Sequence, residues 1–593
     1  MRTTVPRRFD EVARSRGEAP ALRFKRAGIW EAISWAEFSE QVSRAARGFL
    51  ELGHRAGQSV VIIGFNRPEW MISDLAAIAA GGVPAGIYTS STADQCHYIA
   101  EHSEAAVAVV ENDEQLDKFL AVRDRLPDLR GIVLMEGSSE APGVLTWDQL
   151  LELGDGVAEA RLEERIGAQR PDDLATLIYT SGTTGPPKAV MLSHHNLIWT
   201  AEAVVDALGL TAGDQFFSYL PLSHIAEQMI SLHGPMQVGA CTWFAESLEK
   251  LPENLREARP HVFFGVPRVW EKFQAAIAAA GAESKGLKKK IAAWARRKGL
   301  EGGYALQRGE KLPAFYGLAE KLVFSKVREK LGLDRARICA CSAAPITLDT
   351  LEFFLSLGIP ILEIYGMSEV TGPGTLSLPD RLRTGRAGFA FPGAELKLAE
   401  DGEILMRGPH VFLGYYKDEQ ATRETLDEDG WIHSGDIGEI DEDGFLKVTD
   451  RKKELIITSG GKNIAPTPIE ARLKSIACVA AAAVIGDSRK YLTALLTLDP
   501  ERLAPALSEA SSRATDIAGA VECSRFSRWM EQQVEAQVNA RLSKVETIKR
   551  FRLLADQFTI EGGELTPTMK LKRRVVQAKY ESEIEALYGG HNT

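Results

Sequence analysis

Short apolar runs, many of them β-branched, alternate with helical segments along most of the chain. This alternation restricts the fold more than any other feature. "SVVIIGF" (59–65) reads as a strand with no polar face, and "EWMISDLAAIAAGG" after it as a helix closed by glycine. The pattern returns at "AAVAVVE" (105–111), "GIVLME" (131–136), "HVFFGVP" (261–267), "ARICACSA" (336–343) and "PILEIYG" (360–366). Strands without a polar face, separated by helices, predict a parallel sheet covered on both sides. The texture changes after about residue 385. "ELKLAEDGEILMRGP" and "IGEIDEDGFLKVTD" are alternating strands with Asp-Gly turns, the pattern of hairpins. A boundary is expected near Asp450, where charged residues cluster. Beyond it come mixed strands, a long helical stretch over about 501–545 and a basic end.

The 593 residues carry 81 acidic and 70 basic side chains, a net charge of -11 that argues against nucleic acid as the main partner. The six cysteines (96, 241, 339, 341, 478, 523) show no zinc-finger spacing and read as buried thiols of a reducing compartment. The N-terminus lacks the apolar core of a secretory signal. The longest apolar stretch (72–88) contains Asp74 and a Gly-Gly break, too interrupted for a membrane span. A cytoplasmic protein is expected, with peripheral membrane contact left open. The basic segment "ESKGLKKKIAAWARRKG" (283–299) reads as a solvated surface helix, with a membrane-surface or CoA-phosphate contact as the alternative.

"YTSGTTGPPKAV" (179–190) combines hydroxyls, glycines and a lysine as a phosphate-holding loop does. It is not the common phosphate loop. Only two residues separate Gly182 from Gly185, Ala189 stands where a magnesium-binding hydroxyl is needed, and "KAVMLSH" reads as a strand where that loop requires a helix. Ser193 then caps the helix that follows. The loop therefore joins two strands. A hydrolase is disfavoured too, since no Gly-x-Ser-x-Gly elbow is present.

Five further stretches occur in order: "LPLSHIAEQ" (220–228), "EIYGMSE" (363–369), "GWIHSGD" (430–436), "DRKKELIITSGGKNIAPTPIE" (450–470) and "LTPTMKLKRR" (565–574). With the phosphate loop, they resemble the motifs of the adenylate-forming superfamily, and within it most closely the bubblegum-like long-chain acyl-CoA synthetases. The resemblance implies an α/β protein. Residues 1–449 would form a large domain of two α/β subdomains plus a small β-barrel-like part at about 385–449. Residues 450–453 would be a hinge, and 454–593 a smaller mobile α+β domain.

It also implies two reactions. A carboxylate attacks the α-phosphorus of ATP to give acyl-AMP and pyrophosphate, and a thiol then displaces AMP. Thr180, Ser181, Gly182, Thr183, Thr184, Gly185 and Lys188 would cradle phosphates, and Thr184 and Glu369 would hold Mg2+. Ser342, Ala343 and Ala344 would touch the nucleotide. So would Glu363, Ile364, Tyr365, Gly366, Met367 and Ser368, with Tyr365 stacked on adenine. Asp436 and Arg451 would bind the ribose. Lys570 would act at the carboxylate and α-phosphate, with Lys572 its nearby rival. Lys453 would sit at the hinge. Ser459, Gly460 and Gly461 would line the coenzyme A path, with Lys462 beside them as a further nucleotide contact. His224 and Gln228 would border the acyl pocket. Two departures stand out: Gln228 replaces the tryptophan gate of some long-chain enzymes, and Lys462 the arginine of many relatives. The implied function is an ATP-dependent long-chain fatty acid–CoA ligase. An enzyme that hands acyl-AMP to a carrier protein, or a ligase for shorter or aryl acids, is the alternative.

Overall fold

The computed structural model describes residues 3–180, 186–282, 285–459, 462–566 and 571–589. Two large sheets organise residues before 450. The first has eight strands in the spatial order Gly414–Tyr415, Lys188–Ser193, Leu174–Thr180, Val83–Ile87, Ser59–Ile63, Ala105–Val110, Gly131–Leu134 and Val144–Thr146. Its last six strands run parallel. Every residue of Ser59–Ile63 and Ala105–Val110 is buried, as two-sided helical cover requires. The second sheet has nine strands. Its central members, Gln215–Ser218, Val262–Gly265, Ile338–Cys341 and Leu362–Met367, are parallel neighbours. Cys339 and Cys341 lie buried on one of these strands, and all six thiols are free.

The β-rich stretch forms a four-stranded antiparallel sheet of Glu395–Leu398, Glu403–Arg407, Ile432–Ile440 and Leu446–Arg451. One short strand of the same stretch departs from it. Gly414–Tyr415 pairs instead with Lys188–Ser193, at the edge of the first sheet.

Residues beyond 450 build a three-stranded sheet, Val479–Ile485, Leu492–Leu498 and Ile548–Leu554, and a small hairpin of Ile456–Ile457 with Asn463–Ile464. The helical stretch expected over about 501–545 consists of several separate pieces. Pro500–Glu509, Ile517–Glu522 and Ser524–Gln533 are separate helices, followed by a π turn at Val534–Val538. The physical reason is local: the Asp516 carboxylate accepts from the Gly519 amide and starts a new helix. The buried apolar clusters of residues 5–448 and those of residues 456–588 share no member.

Candidate active site

The Leu174–Thr180 and Lys188–Ser193 strands pair antiparallel, with Thr180 opposite Lys188. The phosphate-loop residues Ser181, Gly182, Thr183, Thr184 and Gly185 lie outside the described residues. Thr180 and Lys188, which flank them, line a cleft of about 2470 Å³. So do Thr566 and Leu571, on either side of a second stretch outside the described residues that includes Lys570. Gly460 and Gly461 also fall outside them.

Most of the remaining expected residues meet in this cleft. Ser342, Ala343 and Ala344 line it just past the end of the Ile338–Cys341 strand. Ala343 has φ +72°, a left-handed conformation that costs a residue with a Cβ about 1–2 kcal/mol. Glu363, Ile364, Tyr365, Gly366, Met367, Ser368 and Glu369 form a continuous wall. A Cβ on Gly366 would stand 1.8 Å from the Gly372 carbonyl oxygen, so only glycine lets the two strands come this close. Glu363 accepts from the Gly385 amide at 2.7 Å, and its burial raises the carboxyl to about 8.

Asp436 joins three elements. It lies on the Ile432–Ile440 strand directly across from Arg451 on Leu446–Arg451. One carboxylate oxygen accepts from the Tyr365 hydroxyl at 2.7 Å, and the other faces Arg451 Nε at 3.4 Å. The register of one hairpin thus presents a carboxylate and a guanidinium side by side, next to an aromatic ring.

Glu369 is buried on a 3-10 turn, Ser368–Val370, and accepts from the Tyr415 hydroxyl at 2.6 Å. Burial raises its carboxyl above the ordinary value, and the Tyr415 bond opposes the shift. Lys188 Nζ lies 4.8 Å from the Tyr415 ring centroid. Tyr415 thus ties the acid to the lysine, a role its own sequence context does not announce. Among the described residues no three His, Cys, Asp or Glu side chains form a metal cage. A lone buried carboxylate suits magnesium, which takes one or two protein oxygens and draws its other ligands from phosphate and water.

The acyl-pocket motif behaves unevenly. His224 lines the cleft, and its Nδ1 accepts from the Ala226 amide at 3.2 Å. Gln228 was expected beside it but is turned into the core, 1 % exposed, with its amide donating to the Leu222 carbonyl at 2.9 Å. Glu227, unforeseen from sequence, is fully buried and accepts from Ser218 and Ser231, both at 2.7 Å. Burial raises it to about 7. The neighbouring wall of the cleft is aliphatic and aromatic: Val204, Leu208, Leu210, Phe216, Val262, Phe264 and Ile338.

At 450–453 the chain is tied on both sides. The Asp450 carboxylate accepts from the Thr467 amide at 2.9 Å and its hydroxyl at 3.0 Å. Lys452 pairs with Asp401 at 2.6 Å and Glu403 at 3.0 Å. Lys453 is exposed and lines the cleft. Arg573, buried, pairs with Glu470 and lies 3.7 Å from Glu454. Ser459 and Lys462 border the turn of the Ile456–Ile457 hairpin and are not part of the cleft lining. Lys462, expected as a nucleotide contact, is therefore absent from the cleft lining in this arrangement.

Residues 9–416 match the family described as AMP-binding enzyme, and residues 453–592 match the AMP-binding enzyme C-terminal domain. The chain is 44% identical to the long-chain-fatty-acid–CoA ligase ACSBG2 of Xenopus laevis, covering 99% of this chain and 84% of that protein. It is 38% identical to the human protein of the same name, over 99% of this chain and 92% of that one. Among solved structures, the anthranilate CoA ligase AuaEII with anthranoyl-AMP superimposes with a TM-score of 0.75 at 20% identity, over 98% of both chains. The A domain of the Segniliparus rugosus carboxylic acid reductase, with AMP and a co-purified carboxylic acid, gives 0.76 at 22% identity, over 99% of this chain and 94% of that one.

Proposed function

Because this chain belongs to the AMP-binding enzyme family, we propose that it joins a long-chain fatty acid to coenzyme A through an acyl-AMP intermediate. The observation that carries the substrate class is the cleft's composition. One wall holds the nucleotide motifs, and the adjoining wall is built of Val204, Leu208, Leu210, Val262 and Ile338, with no charged group among them. A hydrocarbon chain buried there is favoured by about 25 cal/mol per Å² of apolar surface removed from water. The names of the relatives support the same class.

In the first step an acid oxygen bonds to the α-phosphorus of ATP and pyrophosphate leaves. Negative charges meet, so cations matter more than a base. Lys188 is exposed beside the phosphate loop to meet the outgoing pyrophosphate, and Lys570 acts at the reacting oxygens. Glu369 and Thr184 would hold a magnesium ion, which would supply charge neutralisation at the phosphates. Asp436 accepts from the ribose hydroxyls while Arg451, across the hairpin from it, holds its carboxylate in place. In the second step the thiolate of coenzyme A bonds to the acyl carbon and AMP leaves. Rotation about 450–453 withdraws Lys570 and brings Ser459, Gly460 and Gly461 to the thiol path.

A panel of acids assayed for AMP release with and without coenzyme A tests the reading. Long-chain acids should give AMP and thioester in equal amounts, and only when coenzyme A is present. Turnover that ignores coenzyme A, or that favours aryl or short acids, would overturn it.

A further inference from the structure

Seven of the thirteen large apolar side chains that stand exposed among the described residues fall between positions 287 and 348. This concentration belongs to one helical hairpin and the element beside it. The helix Leu287–Gln307 packs along a second helical run, made of Tyr316–Ala319, the π turn Glu320–Phe324 and Ser325–Leu331. Glycines make the packing close. A Cβ on Gly302 would lie 2.3 Å from the Tyr316 ring, and one on Gly299 would lie 2.8 Å from Phe324 Cζ. The inner face is thereby filled, and the apolar side chains left over point away from it. Phe315, Leu318 and Leu322 recur at spacings of three and four on the outer face, and Leu312 precedes them. All four are between 41 and 67 % exposed.

The same segment reverses the charge of the molecule. Residues 285–330 hold thirteen lysines and arginines against four glutamates, in a chain whose net charge is -11. Lys311, Lys321 and Lys326 are exposed among the apolar side chains. The hairpin also adjoins the cleft. The Gln307 amide donates to the Thr384 hydroxyl at 2.8 Å and accepts from the Thr384 backbone at 3.0 Å, and Thr384 lines the cleft.

We infer that this hairpin face docks the protein on an anionic lipid bilayer, with the rim of the cleft beside the membrane; this builds on the reading of the cleft as a long-chain acid site. Apolar side chains set singly among lysines are the arrangement of an interfacial helix, where aliphatic groups enter the headgroup boundary and ammonium groups meet lipid phosphates. Pairing this face with itself would oppose two positive fields, which argues against a second copy as the occupant. A long-chain acid dissolves in the bilayer, so a cleft held there would meet its substrate without a passage through water.

Sedimentation with vesicles tests the proposal. The probes are phosphatidylcholine alone and an equimolar mixture with phosphatidylglycerol. The protein should bind the mixture at least about tenfold more strongly than phosphatidylcholine alone, and lose the difference in high salt. Phe315→Ser, Leu318→Ser and Leu322→Ser together should abolish binding. Lys311→Glu, Lys321→Glu and Lys326→Glu together touch no packed surface and should weaken it at least about tenfold. Both variants should keep their unfolding temperature and their acyl-CoA formation from acid supplied without vesicles. That last assay tests the ligase reading independently. Equal binding to both vesicles, or wild-type binding by both variants, would overturn the proposal. So would a dimer, seen by light scattering, that the serine variant dissolves.

Discussion

Glu369 and Asp436 are both carboxylates of the cleft, yet their surroundings divide them. Asp436 faces a guanidinium 3.4 Å away, whereas Glu369 is buried against a tyrosine hydroxyl. A buried acid with a raised titration is one that a divalent cation would hold ionised. Glu369→Gln keeps an acceptor for Tyr415 and removes the charge. It should lower pyrophosphate release at least about 100-fold and flatten its dependence on magnesium concentration. Unchanged magnesium dependence would exclude Glu369 as a ligand. Asp74 differs from both, because neither of its oxygens has a hydrogen-bond partner and it lies in the core. Burial raises it from 3.8 to about 7. Between those values the native chain keeps a proton that the unfolded chain has released. The contribution is therefore most favourable in acid and declines as pH rises towards 7. Asp74→Asn should be more stable than the parent by about 2 kcal/mol at pH 8, with the gap closing near pH 4, in denaturant titrations.

Secondary-structure elements decide which of these residues meet. The Leu362–Met367 strand can reach Gly372–Leu376 only because Gly366 has no side chain. Gly366→Ala should force the pair apart, destabilise the protein by about 1–3 kcal/mol and raise the KM for ATP about tenfold, measured by thermal unfolding and AMP formation. An alanine variant with wild-type KM would mean that the nucleotide does not approach this strand. Tyr365, Glu369 and Asp436 were legible in the sequence because each sits inside a contiguous motif whose strand or turn sets its direction. Tyr415 was not, since it reaches Glu369 through a two-residue strand paired with Lys188–Ser193, more than two hundred positions earlier. Gln228 was misplaced for a related reason. Its direction is set by packing of the Ile225–Gln228 turn and the π turn after it, which no local pattern encodes. The broken helices beyond Pro500 followed a capping aspartate that helical periodicity overlooks.

At the scale of the whole molecule, the two sets of apolar clusters on either side of 450–453 share no member, so the proposed rotation would open neither core. Lys570→Ala should abolish acyl-AMP formation yet still convert supplied acyl-AMP to thioester, followed by separate half-reaction assays. Equal loss of both halves would argue against rotation. The parallel sheets were readable from alternating strands and helices, because buried parallel strands have few other ways to pack. The ties at 450–453 were not, because Lys452–Glu403 and Asp450–Thr467 join side chains far apart in sequence. The Asp436–Arg451 pair carries a thermodynamic consequence. In the proposed roles Arg451 is a ribose neighbour, and it directly follows Asp450, which is tied to Thr467 on the Pro466–Lys474 helix, so nucleotide occupancy and domain position would share one contact. Reciprocity then applies: by whatever factor a domain arrangement tightens the grip on nucleotide, bound nucleotide favours that arrangement by the same factor. Departure of AMP would thus be one of the forces that resets the domains for the next turnover.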